Sequence, residues 1–253
     1  MTVPLVPRAQ ESQPGTGPDS SSRRASSHQP PASSIQLSAR GLGRDYPTPH
    51  GLITVLDGVD LDLAAGETLA IVGPSGSGKS TLLGLLAGLD RPSRGQVTLE
   101  GQDLVAMADG EASAFRGRRM GFIFQSHQLL PALTAQENVQ APLDIAGAPD
   151  AAARARVWLG KVGLEGRHDH RPRQLSGGEQ QRVAVARALA ADPAIVFADE
   201  PTGSLDRRTG TAVADLLFTL AASHRTTLVL VTHDEQLAAR CSRIVHMQDG
   251  RIA

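Results

Sequence analysis

The sequence predicts an α/β fold, and three features of the chain support that prediction. Short apolar strands alternate with helical stretches from about residue 35 onward. A glycine-rich loop at residues 73–80 follows a continuous apolar run, as expected after a buried parallel strand. The segment from Gln125 to Leu175 is mostly helical before the chain returns to apolar strands. We therefore expect an α/β core, residues 35–253, with an inserted helical subdomain at about residues 126–175.

The first predicted elements flank the glycine-rich loop. Residues 35–42 and 55–63 are expected to form strands of a flanking sheet, because Val59, Leu61 and Leu63 alternate with polar residues. Thr68–Val72 forms a continuous, mostly apolar run and is predicted as a buried strand. Residues 81–89 carry leucines at helical spacing and are predicted as a helix.

The later elements repeat this alternation. Short apolar runs predict strands at residues 121–124, 194–198 and 227–231, and residues 150–162 are predicted as a helix within the insert. No internal repeat is visible, so the chain should hold one such domain rather than two in tandem.

Composition narrows the class of protein. A chain of 253 residues with 40% apolar content has room for a substantial core. The net charge of −1 gives no basic field that would indicate nucleic acid as the main partner. The single cysteine, Cys241, excludes an internal disulfide and fits a reducing compartment. No apolar run approaches the roughly 18 residues of a membrane-spanning helix, so another chain would supply any membrane spans.

The first 34 residues differ in composition from the rest. They are rich in Ser, Pro and Gln, and the pair Arg23-Arg24 is not followed by the apolar region of an export signal. So little apolar surface cannot offset the entropy lost on ordering. Residues 1–34 are predicted to be disordered and dispensable for chemistry.

Residues 73–80, with the sequence GPSGSGKS, match the phosphate-binding pattern GxxxxGK[ST] in its required context of strand and helix. Glycines let the backbone wrap a phosphate, Lys79 reaches the β- and γ-phosphates, and the Ser80 hydroxyl is a ligand for Mg²⁺. The alternative is a glycine-rich turn with an exposed lysine. The predicted nucleotide contacts are Gly73, Pro74, Ser75, Gly76, Ser77, Gly78, Lys79, Ser80 and Thr81.

Two adjacent acids, Asp199 and Glu200, follow the predicted strand at residues 194–198. Open α/β sheets bind ligands at the carboxyl ends of their strands, so both carboxylates should lie near the phosphate loop. Asp199 is predicted to hold Mg²⁺ through water, and Glu200 to polarise the attacking water as a general base. The alternative is an acidic strand end that only caps the next helix.

Between the phosphate loop and the acidic pair stands the sequence LSGGEQ, residues 175–180. Its serine and glycines at a helix start offer a second surface where backbone N–H groups hold phosphate. In this position LSGGEQ resembles the signature of the ATP-binding-cassette (ABC) ATPases. The sequence DEPTGSLD, residues 199–206, likewise resembles the family's Walker B motif and D-loop.

This resemblance implies a P-loop NTPase fold of the ABC type: a RecA-like core, an antiparallel β-subdomain and an inserted helical subdomain. It also implies ATP hydrolysis by a head-to-tail dimer, in which each ATP lies between one subunit's phosphate loop and the other's signature. ATP and Mg²⁺ are the implied cofactors, and a second copy of the chain is the implied partner. The implied contacts in the signature and D-loop are Ser176, Gly177, Gly178, Glu179 and Asp206.

Three further residues are assigned through the resemblance. Gln125 follows a strand and resembles the Q-loop glutamine, which contacts Mg²⁺ and water. His233, in the sequence LVTHD, resembles the switch histidine that contacts the γ-phosphate, whereas the other seven histidines are predicted to be surface residues. Tyr46, the only tyrosine, matches the family's adenine-stacking aromatic, with simple packing as the alternative.

Finer features resemble the lipoprotein-release and macrolide-efflux branch of the family, that of LolD, MacB, FtsE and YbbA, with the YbbA type most similar. They are residues 126–131, 133–139, 197–203 and 231–240; Ser204 stands where the branch commonly has Asn. The branch implies a separate permease of FtsX/MacB type, a position at the cytoplasmic face of the bacterial inner membrane, and export of lipoprotein, lipid or other envelope substrates.

The leucines beside Gln125 are the predicted contact with that permease. An apolar cluster that a permease helix would cover, or that packs the insert's own core, is formed by Leu129, Leu130, Pro131 and Leu133.

Other classes of ATPase fit the sequence less well. A signalling ATPase whose permease moves no substrate is the alternative function. A chromosome-maintenance ATPase would need a long coiled coil before the signature, and a translation factor would need two cassettes. A P-loop kinase or GTPase would lack LSGGEQ, and the chain has no NKxD guanine motif.

Overall fold

The protein is described here by a computed structural model that covers residues 1, 2 and 35–253. Apart from its first two residues, the segment predicted to be disordered, residues 1–34, lies outside the described residues. The described chain runs through ten strands and seven α-helices.

The strands are β1 (Ile35–Thr48), β2 (Gly51–Ala64), β3 (Thr68–Val72), β4 (Arg94–Leu99), β5 (Gln102–Asp103), β6 (Met120–Phe124), β7 (Ile195–Asp199), β8 (Thr227–Val231), β9 (Arg243–Gln248) and β10 (Arg251–Ile252). The helices are α1 (Lys79–Leu86), α2 (Asp109–Arg119), α3 (Ala135–Ile145), α4 (Ala151–Lys161), α5 (Gly177–Leu189), α6 (Arg207–His224) and α7 (Glu235–Ala238). One turn of 3₁₀ helix, Pro172–Gln174, precedes α5.

The strands form two sheets. One is antiparallel, with the strand order β2-β1-β4-β5; the other has the order β10-β9-β3-β8-β7-β6. In the second sheet β9, β3, β8, β7 and β6 run parallel, and only β10 is antiparallel to its neighbour. This confirms the predicted α/β core with a flanking antiparallel sheet.

The parallel sheet is buried on both faces, which explains its continuous apolar strands. On β3, Leu69 and Ile71 join a core shared with the antiparallel sheet, α1 and α2, whereas Ala70 belongs to the opposite core. On β7, Phe197 lies in the first core and Ala198 in the second, where the helices α3 to α6 pack. Since successive side chains point to opposite faces, each strand stabilises both layers.

Hydrogen bonds of the Gln36 and Thr227 side chains fix the two sheets relative to each other. Gln36 on β1 donates to the carbonyl oxygen of Ala194 at 3.2 Å and accepts a bond from the Thr227 hydroxyl on β8. The same Thr227 oxygen accepts from the N–H of Gly66 at 2.8 Å. This network joins β1 to the amino ends of β7 and β8, so the antiparallel sheet is held in register with the core.

The structure differs from the sequence prediction at element ends and in several elements that were not predicted. Helix α1 begins at Lys79 rather than residue 81 and ends at Leu86, and Leu89 beyond it is half exposed. The elements that were not predicted are the strands β4, β5, β9 and β10 and the helices α2, α6 and α7. Helix α2 buries only Ala112 and so has no apolar stripe to detect. Within the residues that the structure describes, no helix is long and apolar enough to cross a membrane.

Candidate nucleotide-binding site

A single cleft forms where the carboxyl ends of β3, β8 and β7 lie side by side. The phosphate loop follows β3, and Glu200 and His233 lie just beyond the ends of β7 and β8. Ligands bind at this edge of open α/β sheets. The residues that line the cleft are Val55, Gly73, Ser75, Gly76, Gly78, Lys79, Ser80, Thr81, Asp199, Glu200, Val231 and His233.

The phosphate loop presents its donors to this cleft. Helix α1 begins without a capping side chain and without an acid in its first turn, so its N–H groups and positive dipole end suit an anion. The Lys79 ammonium lies inside the loop and donates to the carbonyl oxygens of Gly73 at 2.9 Å and Pro74 at 2.8 Å. At Gly73 a Cβ atom would lie 2.2 Å from the Met247 carbonyl oxygen, so only glycine fits there.

Two oxygen ligands for a hard cation, from Ser80 and Asp199, line the cleft. The Ser80 hydroxyl is 3.4 Å from a carboxylate oxygen of Asp199. Burial raises the pKa of Asp199, and a nearby divalent cation would favour its charged form. Mg²⁺ prefers oxygen ligands and is usually held by one or two protein groups plus substrate phosphates. The pair Ser80 and Asp199 therefore fits Mg²⁺ bound together with a nucleotide.

Glu200 is held in a strained position beside His233. Its φ of 46° lies in the left-handed region, which is uncommon for residues other than glycine. Its N–H donates to the carbonyl oxygen of Val231 at 2.9 Å, which ties β7 to the neighbouring β8. The Glu200 carboxylate is largely buried and lies 2.8 Å from Nδ1 of the exposed His233 ring. A buried carboxylate positioned in this way has the chemistry of a general base.

Gln125 and Tyr46 are not among the residues that line the cleft. Gln125 follows β6, and its side-chain amide packs against Gly203, just beyond Glu200. The Tyr46 hydroxyl donates to Asp90 at 3.2 Å, and the Arg44 guanidinium covers the ring at 4.6 Å. Both assignments therefore remain predictions; Val55 on β2, which does line the cleft, was expected only as a strand residue.

The signature residues lie at the start of α5, and none of them is among the cleft-lining residues. The Ser176 hydroxyl accepts from the N–H of Glu179 at 3.3 Å, and Glu179 accepts from the N–H of Ser176 at 2.8 Å. The backbone N–H of Ser176, the Arg167 guanidinium and the Ser176 hydroxyl all donate to the Glu179 carboxylate. These bonds lower the pKa of Glu179 to about 2. The predicted contact Glu179 is thus engaged in a capping box within its own subunit.

Asp206, the predicted D-loop contact, also caps a helix. Its carboxylate accepts from the N–H of Thr209 at 3.0 Å at the start of α6.

The two glycines of the signature have different surroundings in this region. A Cβ atom at Gly178 would lie 2.4 Å from the Thr209 methyl group, whereas one at Gly177 would be 3.4 Å from Leu205. Gly178 therefore permits the close packing of α5 on α6.

One histidine contradicts the prediction that all but His233 are surface residues. His127 is 8% exposed. Its Nδ1 atom is 3.2 Å from the Gln125 carbonyl oxygen, and its Nε2 atom points toward Gly177. The surface prediction was wrong because the ring fills the space between the segment after Gln125 and the signature, two segments that only tertiary packing brings together.

A groove runs along β6, the edge strand of the parallel sheet. Its walls include Phe122 and Phe124 from β6 and Pro142 and Ile145 from α3. The Ile145 side chain is 75% exposed. The leucines predicted to form a permease cleft are divided: Leu129 packs against the core, which favours the alternative interpretation for it, and Leu130 is exposed.

This fold and site define a P-loop ATPase. The sequence pattern of the ABC transporter family matches residues 56–203, more than half of the chain. The chain belongs to the ABC transporter family and is an ATP-binding, ATP-hydrolysing cassette of it.

Relatives that share about half of their aligned residues with this chain place the chain in the predicted branch. It is 49% identical to the lipoprotein-releasing system ATP-binding protein LolD of Chromohalobacter salexigens, over 87% of this chain and 93% of LolD. It is 52% identical to the uncharacterised ABC transporter ATP-binding protein YbbA of Escherichia coli K12, over 79% of this chain and 89% of YbbA. It is also 49% identical to the macrolide export ATP-binding/permease protein MacB 1/2 of Paracoccus denitrificans, over 84% of this chain but only 32% of MacB.

A solved structure supports the same assignment. The dimeric ATP-binding cassette MJ0796, in a post-hydrolysis state bound to ADP and Pi, is 40% identical and superposes with a TM-score of 0.79. The match covers 85% of this chain and 96% of the MJ0796 chain.

The contact between Gly178 and Thr209 predicts a matched set of stability changes. Gly178→Ala should destabilise the fold by about 1–3 kcal/mol, because the added methyl overlaps the Thr209 methyl group. Combining it with Thr209→Ser, which removes that methyl, should restore most of the loss. Urea unfolding measures each variant, with Gly177→Ala as the control near wild-type stability. If the double variant is no more stable than Gly178→Ala, the contact does not constrain position 178.

Proposed function

We propose that the chain is the ATP-hydrolysing subunit of an exporter, working as a dimer and driving a separate permease. One observation carries the dimer. The phosphate loop, Asp199, Glu200 and His233 line one cleft, while the signature residues Ser176–Gly178 do not line it. A phosphate surface outside its own cleft is explained if it completes the cleft of a second copy, as the dimeric relative MJ0796 suggests.

Within each cleft the side chains take separate roles. The N–H groups at the start of α1 and the Lys79 ammonium bind the β- and γ-phosphates. Glu200 accepts a proton from the attacking water, and its short contact with His233 orients the carboxylate. His233 is exposed enough to turn to the γ-phosphate. Gln125, which packs beside Gly203, is assigned to the same water through its resemblance to the Q-loop glutamine.

Ser80 and Asp199 would hold Mg²⁺, with Gln125 as a further ligand. When bound, this ion neutralises charge on the phosphate oxygens. ATP contacts the phosphate loop of one subunit and Ser176, Gly177 and Gly178 of the other, whereas ADP lacks the γ-phosphate that makes the second contact. ATP therefore binds the closed dimer more tightly than the open one, and this difference in affinity drives closure. Asp206 and Glu179 act indirectly, because they cap the helices that carry the D-loop and the signature.

The permease contact is the groove along β6. Its apolar walls, with Ile145 exposed at the rim, fit a short amphipathic helix. The relative MacB combines an ATP-binding part and a permease in its name, and this chain covers only 32% of it. We infer a separate FtsX/MacB-type permease, a position at the cytoplasmic face of the bacterial inner membrane, and export of envelope substrates such as lipoproteins or lipids.

Glu200→Gln tests the base. The amide keeps the size of the side chain but accepts no proton from water, so turnover should fall by about 10²–10⁴-fold while ATP still binds. Sedimentation with ATP and Mg²⁺ should then show a stable dimer that ADP does not produce. Turnover at the wild-type rate would exclude Glu200 as the base.

An isosteric pair of variants tests the signature. Asn and Asp can both accept the N-cap bond of α5, but only Asp places a negative charge where the partner's ATP should dock. Because the Ser176 hydroxyl donates to Glu179 at 2.8 Å, Asp also puts a second carboxylate beside Glu179, so the melting temperature of both variants is measured alongside. Ser176→Asp should bind ATP normally as a monomer and lose ATP-driven dimerisation and hydrolysis, whereas Ser176→Asn should retain more of both. Equal dimerisation by the two variants would refute the proposed role of the signature.

Ile145→Asp tests the groove, with Val157→Asp as the matched control. Both residues are exposed, 75% and 60%, but Val157 is not a groove residue. Losing burial of Ile145, about 1.5–3 kcal/mol, should weaken binding of the co-expressed permease at least about tenfold. Basal ATPase activity should stay unchanged in both variants. Permease-stimulated activity that survives in Ile145→Asp would place the contact elsewhere.

A further inference from the structure

The turn between β9 and β10 has the backbone of a tight hairpin. Asp249 and Gly250 form the turn, with φ values of 49° and 77°. Positive φ at both central residues is characteristic of the type I′ turn, for which the sequence Asp-Gly is preferred. The turn itself therefore favours glycine, and the surroundings of Gly250 place a second demand on the same position.

This turn connects β2 to the phosphate loop. The Gly250 N–H donates to the carbonyl oxygen of Ser77 in the loop at 3.3 Å, and the Gly250 carbonyl oxygen accepts from the N–H of Asp57 on β2 at 3.0 Å. Neither Gly250 nor Ser77 is among the described residues that line the nucleotide cleft. The turn thus supports the phosphate loop from outside the cleft.

The backbone segments that meet here leave no room for side chains. A Cβ atom at Gly250 would lie 2.5 Å from the Val55 carbonyl oxygen on β2, and one at Gly78 would lie 3.0 Å from the same oxygen. At the start of the phosphate loop, a Cβ atom at Gly73 would lie 2.2 Å from the carbonyl oxygen of Met247 on β9. The β9–β10 hairpin and β2 therefore contact the loop near both of its ends.

The bond to Ser77 fixes the direction of a donor in the loop. A trans peptide unit is planar, so its C=O and its N–H point in opposite directions. Because the Ser77 carbonyl oxygen points toward Gly250, the N–H of Gly78 points away from the turn, and Gly78 lines the cleft. Backbone N–H groups of such a loop are its phosphate donors.

We propose that Gly250 is a positioning residue for phosphate binding. Through its bond to Ser77 and its close approach to Val55, it holds the peptide between Ser77 and Gly78 in the orientation that receives the β-phosphate. This inference rests on the phosphate loop of the proposed function and does not depend on the dimer. It applies equally to ATP and ADP, since both nucleotides carry a β-phosphate.

A second turn of the same form, between β4 and β5, provides a matched control. Glu100 and Gly101 have φ values of 51° and 78°, and a Cβ atom at Gly101 would have no neighbour within 4 Å among the described residues. Gly250→Ala and Gly101→Ala therefore introduce similar turn strain, but only Gly250→Ala also overlaps Val55. The Kd of ADP with Mg²⁺, measured by calorimetry, should rise about tenfold in Gly250→Ala, because a misdirected N–H loses a charge-assisted bond. It should stay within about twofold in Gly101→Ala.

Gly250→Asn separates the two demands on position 250. Asn adopts a positive φ more readily than Ala but also carries a Cβ atom, so it relieves the turn strain and keeps the overlap with Val55. The Kd of ADP should therefore rise in Gly250→Asn about as much as in Gly250→Ala. Wild-type affinity in Gly250→Asn would show that turn strain alone had acted, and the inference would be wrong.

A purely structural role of Gly250 predicts a different result. Loss of folded protein lowers the binding stoichiometry in calorimetry and leaves the Kd of the folded fraction unchanged, and that outcome would overturn the inference. Hydrogen exchange of the wild-type protein gives a second measurement if the variant does not fold. ADP should slow exchange of the Gly250 N–H, because the loop that binds ADP also accepts this bond, and should leave the Gly101 N–H unchanged. An unaffected Gly250 rate would contradict the inference.

Lys79→Ala distinguishes this inference from the proposed function. Wild-type ADP affinity in Lys79→Ala would remove the assignment of residues 73–80 to phosphate, on which both conclusions rest. Weakened binding in Lys79→Ala, together with equal ADP affinities in Gly250→Ala and Gly101→Ala, would remove only the role of Gly250.

Discussion

The parallel pairing of β3, β8 and β7 is the constraint on which the rest of the site depends. These three strands are neighbours in space although they are far apart in the chain. Their backbone hydrogen bonds set the positions of Lys79, Glu200 and His233 before any side chain contributes. The site is therefore as rigid as the middle of the sheet, and Glu200 can be held in a strained conformation because the bond to Val231 belongs to the same framework.

Most of the fold and the cleft could be predicted from local patterns. Thr68–Val72 and Thr227–Val231 are apolar after their first residue and were predicted with the bounds that the structure has. The phosphate loop is contiguous in sequence, so its geometry follows from one stretch of glycines between a strand and a helix. Lys79, Asp199, Glu200 and His233 accordingly lie together in one cleft.

The sequence did not predict what depends on distant segments meeting. The burial of His127 arises from contact between the segment after β6 and α5, which no local period encodes. Gly178 was assigned to phosphate, yet its surroundings show a packing constraint against Thr209. Glu179 was assigned to ATP, and its carboxylate is occupied by the helix start. The LSGGEQ motif locates the start of α5, but it does not show which of its residues stabilise the helix rather than bind ATP.

The lining of the cleft has a consequence for nucleotide choice. Among the described residues that form it, the polar groups belong to the phosphate loop, the acidic pair and His233, and the remaining side chains are Val55 and Val231. Such a lining can select for the length and charge of a polyphosphate, but it has few side chains that could distinguish one purine base from another. This cleft by itself is therefore expected to discriminate weakly between adenine and guanine nucleotides.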